Sequence, residues 1–318
     1  MKKENILYLV IPCYNEEAVL SETTKRLSNK IERMIKDKII SSKSRIMYID
    51  DGSNDGTWAL IEELHKNGKF VEGVKLAKNR GHQNALLAGL MTAKEYADII
   101  ISMDADLQDD IEVLDKFVKE YNEGAEIVYG VRSSREKDSF FKRNTAQLFY
   151  RLMKMLGTDI VYNHADYRLM SKRAVDELEK YSEVNLFLRG IIPQIGLKTA
   201  TVEYERKERF AGESKYPLRK MLSFALEGIL SFSVSPLRII TIFGLIVSLV
   251  SFAFLIYVII GYFVSDNVAG WTTTVALVCF FGGFQILCMG VIGEYIGKIY
   301  NETKRRPRYI IEMFLAKK

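Results

Sequence analysis

The stretch "ADIIISMDADLQDD" (97–110) joins an apolar run to four carboxylates that lie within eight residues. Its first half, "ADIIIS" (97–102), predicts a buried strand. Asp104 and Asp106 come next, two residues apart, and at a strand end that spacing points both side chains the same way. Oxygen ligands of this kind suit Mg²⁺ or Mn²⁺, and Gln108 could add a carbonyl oxygen. A D-x-D pair alone is usually a solvated loop, but its position after a buried strand favours a metal site.

Short apolar runs alternate with longer amphipathic stretches through the first 130 residues. The candidate strands are Ile6–Ile11, Ile46–Ile49, Phe70–Leu76, Ile99–Met103 and Ile127–Val131. The candidate helices are Glu16–Lys36, Thr57–Lys66, Gln83–Tyr96 and Ile111–Asn122. This alternation predicts an α/β fold with a mostly parallel sheet and helices on both faces. In such sheets, ligands bind beyond the carboxyl ends of the strands.

Two further acidic motifs fall at those ends: "PCYNEE" (12–17) follows the first candidate strand, and "DDGSNDGT" (50–57) follows the second. The second motif has the composition of a tight turn, with Thr57 starting the next helix. A carboxylate held there could also bond a ribose hydroxyl or a base imide, and Asp51 is preferred to Asp50 for this role. The sequence contains neither of the common glycine-rich phosphate motifs.

The C-terminal third has a different character. Residues 239–264 and 270–293 carry no charged side chain, and each run exceeds the roughly 20 residues that cross a bilayer. We therefore predict a transmembrane hairpin (237–297) with spans at about 239–264 and 270–293. Basic residues flank the hairpin and are absent from its short turn, which places both flanks in the cytoplasm.

These features divide the chain into four parts. Residues 1–215 form a predicted cytosolic catalytic domain, and residues 216–236 form an amphipathic helix at the membrane interface or, alternatively, a docking helix in the globular core. The hairpin and a basic cytosolic tail (298–318) follow. Three scattered cysteines favour a reducing compartment, and the short, interrupted apolar run at the N-terminus is not a signal peptide.

The net charge of +5 is mild, and no compact basic stripe indicates nucleic-acid binding. Gly293 and Gly297 form a small-xxx-small pair, a weak indication of a homo-oligomer. His82 follows Gly81 at the start of a predicted helix, where capping or packing is the favoured role.

The motifs in their order resemble glycosyltransferase family 2, which has the GT-A fold. They are "IPCYNEE", "DDGSNDGT", "NRGHQNALLAG" (79–89) and "DADLQDD". Further along, "RNTAQLFYRLM", "HADYRLMSKRA", "FLRG" and "RFAGESKYPL" resemble the polyprenyl-phosphate glycosyltransferases, and the likeness extends over the membrane hairpin. Asp110 stands where many relatives have proline. The wording of the later motifs is most similar to the bacterial branch that uses UDP-sugars, with UDP-N-acetylglucosamine expected first and UDP-glucose second.

The resemblance implies a set of site residues. Donor contacts are expected from Pro12, Tyr14, Glu16, Asp50, Asp51, Asp104, Arg206, Arg209 and Lys215. The metal ligands are expected to be Asp104, Asp106 and Gln108, and the reacting centre to involve Asp106, Asp166 and Arg168. Arg132, Arg135 and Ser214 are expected at the acceptor phosphate.

The implied partners are a nucleotide-sugar, a polyprenyl phosphate and the bacterial inner membrane. The implied reaction is inverting transfer, because the lipid phosphate can attack the anomeric carbon directly. A processive polysaccharide synthase is the main enzymatic alternative, but the Q-x-x-R-W motif expected after the D-x-D region is missing. A nucleotidyltransferase would need a glycine-rich basic loop in place of "PCYNEE", and a non-catalytic membrane scaffold would not need intact acidic and basic motifs.

Overall fold

A computed structural model describes residues 4–133, 164–184, 186–205, 235–264 and 270–317. In chain order its elements are β1 (Leu7–Cys13), α1 (Glu17–Lys36), β2 (Arg45–Asp50), α2 (Thr57–Asn67), β3 (Val71–Leu76), α3 (His82–Ala93), β4 (Ile99–Ser102), a 3₁₀ turn (Ile111–Val113), α4 (Leu114–Asn122), β5 (Ile127–Arg132), β6 (His164–Ser171), α5 (Lys172–Glu179), α6 (Leu188–Gln194), β7 (Thr199–Tyr204), α7 (Ser235–Val264), α8 (Trp271–Lys304) and β8 (Ile311–Leu315). The predicted strands and helices of the N-terminal half are confirmed, with small shifts at their ends.

The strands form one mixed sheet in the order β7-β5-β6-β4-β1-β2-β3-β8. Strands β1 to β4 run parallel to one another, as the alternation predicts. Strand β6 is antiparallel to both of its neighbours, and β8 is antiparallel to β3. The parallel strands β1 to β4 therefore end at a common edge, where the acidic motifs lie.

Alternate residues of β1 enter different cores, which explains why the run is apolar throughout. Leu9 and Ile11 belong to the core under α1, α2 and α4, whereas Tyr8 and Val10 belong to the core under α3, α5 and α6. A strand covered on both faces needs apolar side chains on both. Gly89 lets α3 approach closely, because a Cβ there would lie 2.4 Å from Val10 Cγ1.

The C-terminal segment ends in the sheet. The sequence predicts a basic tail over 298–318, but α8 extends to Lys304 and residues 311–315 pair with β3. The pairing was missed because five residues that depend on a distant edge strand for their hydrogen bonds carry little local signal. Residues 298–304 of the predicted tail thus continue α8, and residues 311–315 are an edge strand of the sheet.

Two long helices, α7 and α8, lie where the hairpin is predicted. The rings of Phe243 and Phe284 are 4.6 Å apart, so the two helices pack together. Within the described residues, one segment, Phe280–Lys304, passes a test of length and composition for crossing a membrane. The predicted interfacial helix lies outside the described residues except for its last two, which begin α7.

Candidate active site

The loops that follow β1 and β2 form one unit at the sheet edge. The N–H of Asn15 donates to Ser53 Oγ at 3.0 Å, and the N–H of Glu16 donates to Thr57 Oγ1 at 2.9 Å. The side chain of Asn15 accepts in return from the N–H of Asn54 at 2.9 Å. The motifs "PCYNEE" and "DDGSNDGT" therefore hold each other in a fixed arrangement.

Two residues predicted to contact the donor begin this region. Pro12 is buried within β1, opposite Ile49 of β2. Tyr14 follows it and is 39% exposed, so its ring is open to a ligand at the edge. An exposed aromatic ring beside a polar cleft can stack on a base.

Asp50 and Asp51 are both buried but have different surroundings. Asp50 Oδ1 accepts from the N–H of Ser53 at 3.2 Å, and Oδ2 has no hydrogen-bond partner in the part of the chain that the structure describes. Asp51 accepts through both oxygens, from the N–H of Arg80 at 2.7 Å and of Gly81 at 2.8 Å. Burial raises the pKa of both carboxyls, and the two backbone donors oppose that rise at Asp51. Asp51 thus fixes the turn that leads into α3.

The loop after β4 carries the D-x-D pair. Asp106 is almost fully buried and its Oδ1 accepts from the N–H of Gln108 at 3.1 Å, whereas the side chain of Asp104 is 42% exposed. Leu107, which follows Asp106, has a φ of 57°, which residues other than glycine rarely adopt. Such backbone conformations cluster at ligand-binding sites, where neighbouring contacts hold them.

Asp109 connects this loop to β7, the strand at one edge of the sheet. Its Oδ1 accepts from the hydroxyl of Tyr204 at 2.7 Å. Burial raises the pKa of Asp109 to about 7, with a further contribution from Asp104, while Tyr204 and Arg132 oppose the rise. Arg132, a predicted acceptor-phosphate residue at the end of β5, therefore lies close enough to the acidic loop to act on its charge.

Asp166 lies between two guanidinium groups. Arg168 pairs with its Oδ1, and Arg189 donates to Oδ1 at 3.2 Å and to Oδ2 at 2.9 Å. The hydroxyl of Ser102 donates to the backbone oxygen of Asp166 at 2.6 Å, which places this cluster beside the end of β4. Burial alone would raise the pKa of Asp166, but Arg189, Arg168 and His82 together hold it well below its usual range. The carboxylate stays ionised and is a poor general base.

His82 joins the two acidic groups of the site. It is the first residue of α3, and its Nε2 lies 3.9 Å from Asp104 Oδ1 and 3.7 Å from Asp166 Oδ2. Partial removal from water raises the pKa of Asp104, His82 opposes that rise, and the charges of Asp166 and Asp106 add to it. The site therefore concentrates negative charge at Asp104 and balances it only in part.

The D-x-D pair fits a divalent cation that arrives with a ligand. No group of three or more His, Cys, Asp or Glu side chains among the described residues forms a complete metal cage. Mg²⁺ needs no such cage, because it commonly binds through one or two carboxylates and completes its shell with water and substrate phosphates. The repulsion between Asp104 and Asp106 is the charge pattern that such an ion would relieve. Asp104, Asp106 and Gln108 would hold it.

Comparison with known proteins identifies the family of the chain. The model of the family described as "Glycosyl transferase family 2" matches residues 8–179, which run from β1 to α5 and include the D-x-D loop, His82 and Asp166. The chain belongs to glycosyl transferase family 2. Residues 235–299 match a second model, described as the GtrB C-terminal hairpin, and cover most of α7 and α8.

Relatives match over almost the whole chain. The uncharacterized glycosyltransferase YkoT of Bacillus subtilis (strain 168) is 52% identical over 99% of this chain and 93% of its own length. The prophage bactoprenol glucosyl transferase homolog of Escherichia coli (strain K12) is 40% identical over 96% of this chain and 97% of its own. The bactoprenol glucosyl transferase of Shigella phage SfX is 40% identical over 96% and 98%.

Two residues of this family 2 site were not predicted from the sequence. His82 was assigned to capping or packing, yet it lies between Asp104 and Asp166. Arg189 was quoted within "FLRG" without a role, yet it holds Asp166 through two hydrogen bonds. His82 lies in "NRGHQNALLAG" and Arg189 in "FLRG", two of the motifs that carry the family resemblance. Membership of those motifs was the sequence signal that could have marked both residues as part of the site. The mixed sheet with acidic motifs at its edge is the GT-A-like α/β arrangement that the resemblance implies.

Several predicted site residues lie outside the described residues. They are Arg135, Arg206, Arg209, Ser214 and Lys215. Their roles stay predictions, as do the nucleotide, metal and phosphate contacts of the residues described above.

Proposed function

We propose that this chain transfers a sugar from a nucleotide-sugar to a membrane polyprenyl phosphate, with undecaprenyl phosphate as the acceptor and UDP-glucose or UDP-N-acetylglucosamine as the donor. The observation that carries the proposal is the cluster at the sheet edge, where the D-x-D loop meets His82, Asp166 and Arg189. The names of the relatives that are 40% identical support a bactoprenol acceptor and make glucose the first sugar to test.

On the donor side, we propose that the base and ribose bind near Tyr14, Asp50 and Asp51. The diphosphate then extends toward Asp104 and Asp106. A bound Mg²⁺ or Mn²⁺ would offset the negative charge that grows on the departing diphosphate. Arg189 adds a positive charge and His82 a hydrogen-bonding ring at the same edge. Partial burial there strengthens their electrostatic interaction with the diphosphate.

On the acceptor side, the chemistry calls for positioning of the lipid phosphate. A phosphate monoester has a second pKa of about 6, so it is largely a dianion at neutral pH and is already a nucleophile. Its oxygen attacks the anomeric carbon as the bond from that carbon to the nucleotide diphosphate breaks, which inverts the configuration. Asp166 is held ionised by two arginines and would orient Arg189, while Arg132 approaches the acceptor phosphate.

The membrane hairpin explains how such an acceptor reaches the site. A polyprenyl chain stays in the bilayer, and its phosphate lies at the depth of the lipid headgroups. We propose that α7 and α8 both span the bacterial inner membrane, with the catalytic domain and the C-terminus in the cytosol. The absence of charged residues from 239–264 and 270–293 supports the two spans. The basic residues on the flanks support the orientation.

The test is to assay the full chain, in lipid vesicles that contain undecaprenyl phosphate, with a panel of radiolabelled nucleotide-sugars. Radiolabel from one UDP-sugar is expected in a lipid that is extracted by organic solvent and cleaved by mild acid. Label found instead in a water-soluble glycan or in protein would contradict the lipid acceptor. Omitting undecaprenyl phosphate is the matched control, and it should abolish extraction of the label.

A further inference from the structure

Residues 302–317, here called the C-terminal strap, connect the end of α8 to the catalytic sheet. Strand β8 pairs with β3, and the N–H of Ala77 donates to the carbonyl of Ile310 at 2.9 Å. The N–H of Lys317 donates to the buried carboxylate of Glu72 at 3.0 Å. The ring of Phe314 packs against that of Tyr96, 5.9 Å between centroids. The strap is therefore a fixed part of the domain.

The strap also bonds to the irregular connection between α5 and α6. Glu302 Oε2 accepts from the N–H of Val184 at 2.9 Å. Arg308 donates through its two terminal nitrogens, to the carbonyl of Tyr181 at 3.1 Å and to that of Glu183 at 3.4 Å. Backbone groups outside regular structure need such partners to hold one conformation. Three backbone groups within four residues thus depend on the strap.

The same connection leads directly into the active site. At its far end the N–H of Leu188 donates to Gln83 Oε1 at 2.8 Å, next to His82. The following residue, Arg189, binds both oxygens of Asp166. The segment is thus held by the strap at its start and by the site at its end.

We propose that Glu302 and Arg308 are positioning residues, which fix the 181–184 segment and thereby set Arg189 against Asp166. Because Glu302 lies in the last turn of α8 and Arg308 follows that helix, α8 and the reacting groups form one connected unit. This inference rests on the proposed function for its kinetic test. A displacement of about 1 Å in a site of this kind can cost a hundredfold in rate.

The kinetic experiment compares Glu302→Ala, Glu302→Gln and Arg308→Ala in the full chain. The alanine variants are expected to lower kcat about ten- to a hundredfold. The KM for the nucleotide-sugar should stay within about twofold, because Glu302 and Arg308 bond to residues 181–184, whereas the proposed base and ribose contacts lie in the loops after β1 and β2. Glu302→Gln keeps an oxygen that accepts from Val184 and is expected to retain most of the activity. Glu312→Gln is the matched control, since Glu312 lies on β8 and pairs with Lys75 at 3.3 Å, away from residues 181–184.

A double variant tests whether the effect passes through Arg189. If it does, the kcat of the double variant Glu302→Ala with Arg189→Ala should equal that of Arg189→Ala alone. The contact between Arg189 and Asp166 is already lost in the single variant, so Glu302 has nothing left to position. Multiplicative losses would overturn the proposal, as would wild-type kcat in both alanine variants.

Hydrogen exchange provides a readout that needs no turnover. Peptides covering residues 181–190 are expected to exchange faster in Glu302→Ala and Arg308→Ala but not in Glu312→Gln. Unchanged exchange in both alanine variants would overturn the proposal even if activity fell. A wild-type chain that transfers no sugar to lipid phosphate would refute the proposed function, and the exchange result would still decide the role of the strap.

Discussion

The carboxylate of Asp51 holds the backbone of Arg80 and Gly81 through two hydrogen bonds, at 2.7 and 2.8 Å. Asp51 lies at the end of β2, and Gly81 precedes the first residue of α3, which is His82. One buried side chain thus links the proposed nucleotide pocket to the histidine between Asp104 and Asp166. The conformation of the turn before α3 therefore depends on Asp51 as well as on the residues of the turn itself.

Asp51→Asn should weaken both folding and donor binding. An asparagine can accept from one of the two N–H groups, and its own NH₂ would face the other. Leaving one of these part-buried donors without its acceptor costs about 1 kcal/mol. We expect a lower free energy of unfolding and a raised KM for the nucleotide-sugar. Asp37→Asn, at an exposed position after α1, is the control and should change neither quantity.

Removing either carboxylate of the D-x-D pair should abolish transfer while the protein still folds and inserts. Asp104→Ala and Asp106→Ala leave the buried strand β4 intact, so thermal unfolding should change little. Activity of the wild type should be lost in excess EDTA and restored by Mg²⁺ or Mn²⁺. Full activity of either variant, or of the wild type in EDTA, would contradict the metal role.

The control for that experiment comes from the same loop. Asp110 caps the 3₁₀ turn, where its Oδ1 accepts from the N–H of Glu112 at 3.3 Å. Asp110→Asn keeps an acceptor for this bond and removes one negative charge. Activity close to that of the wild type would show that the loop tolerates the loss of a carboxylate outside the D-x-D pair.

Asp166→Asn should be strongly destabilising. The guanidinium of Arg168 is 1% exposed and pairs with Asp166, so neutralising the partner leaves a buried charge without its counterion. Breaking a buried pair from one side costs about 3–5 kcal/mol. Chemical unfolding should detect this, and replacing both residues, as in Asp166→Asn with Arg168→Met, should recover part of the loss. Stability equal to that of the wild type would mean that the pair is not needed for folding.

Glu72 gives a prediction for the pH dependence of stability. Burial raises its pKa above the usual value, while the N–H of Lys317 and the charge of Arg45 oppose the rise. A carboxyl whose folded-state pKa is raised favours the folded state most when protonated, so this contribution is lost as the pH rises through the folded-state pKa. Glu72→Gln should therefore match the wild type near pH 4 and gain stability relative to it by pH 7. Glu312→Gln, on the exposed side of the strap, should show no such pH-dependent difference.

The sequence allowed the N-terminal half of the fold to be predicted, because its signals are local. The apolar runs of β1 to β5 and the D-x-D loop can each be identified within about ten residues. Strand β8 could not be found this way: Lys75 and Glu312, which pair across β3 and β8, are 237 residues apart. Arg189 was missed for a related reason, since its contact with Asp166 depends on how β6 and α6 are placed by the whole sheet.

His82→Gln tests the residue whose role the sequence obscured. Its ring lies between Asp104 and Asp166, at 3.9 and 3.7 Å. Preorganised groups of this kind contribute about 10²–10³ in rate at comparable sites. We expect a fall in kcat of at least tenfold with little change in thermal stability, because the side chain is 39% exposed. His65→Gln is the control, since His65 hydrogen-bonds with the carbonyl of Val71 at the start of β3, the opposite end of the strand from the edge that carries the site. This variant should leave kcat unchanged. If both variants kept the kcat of the wild type, His82 would have only the capping or packing role that the sequence suggested.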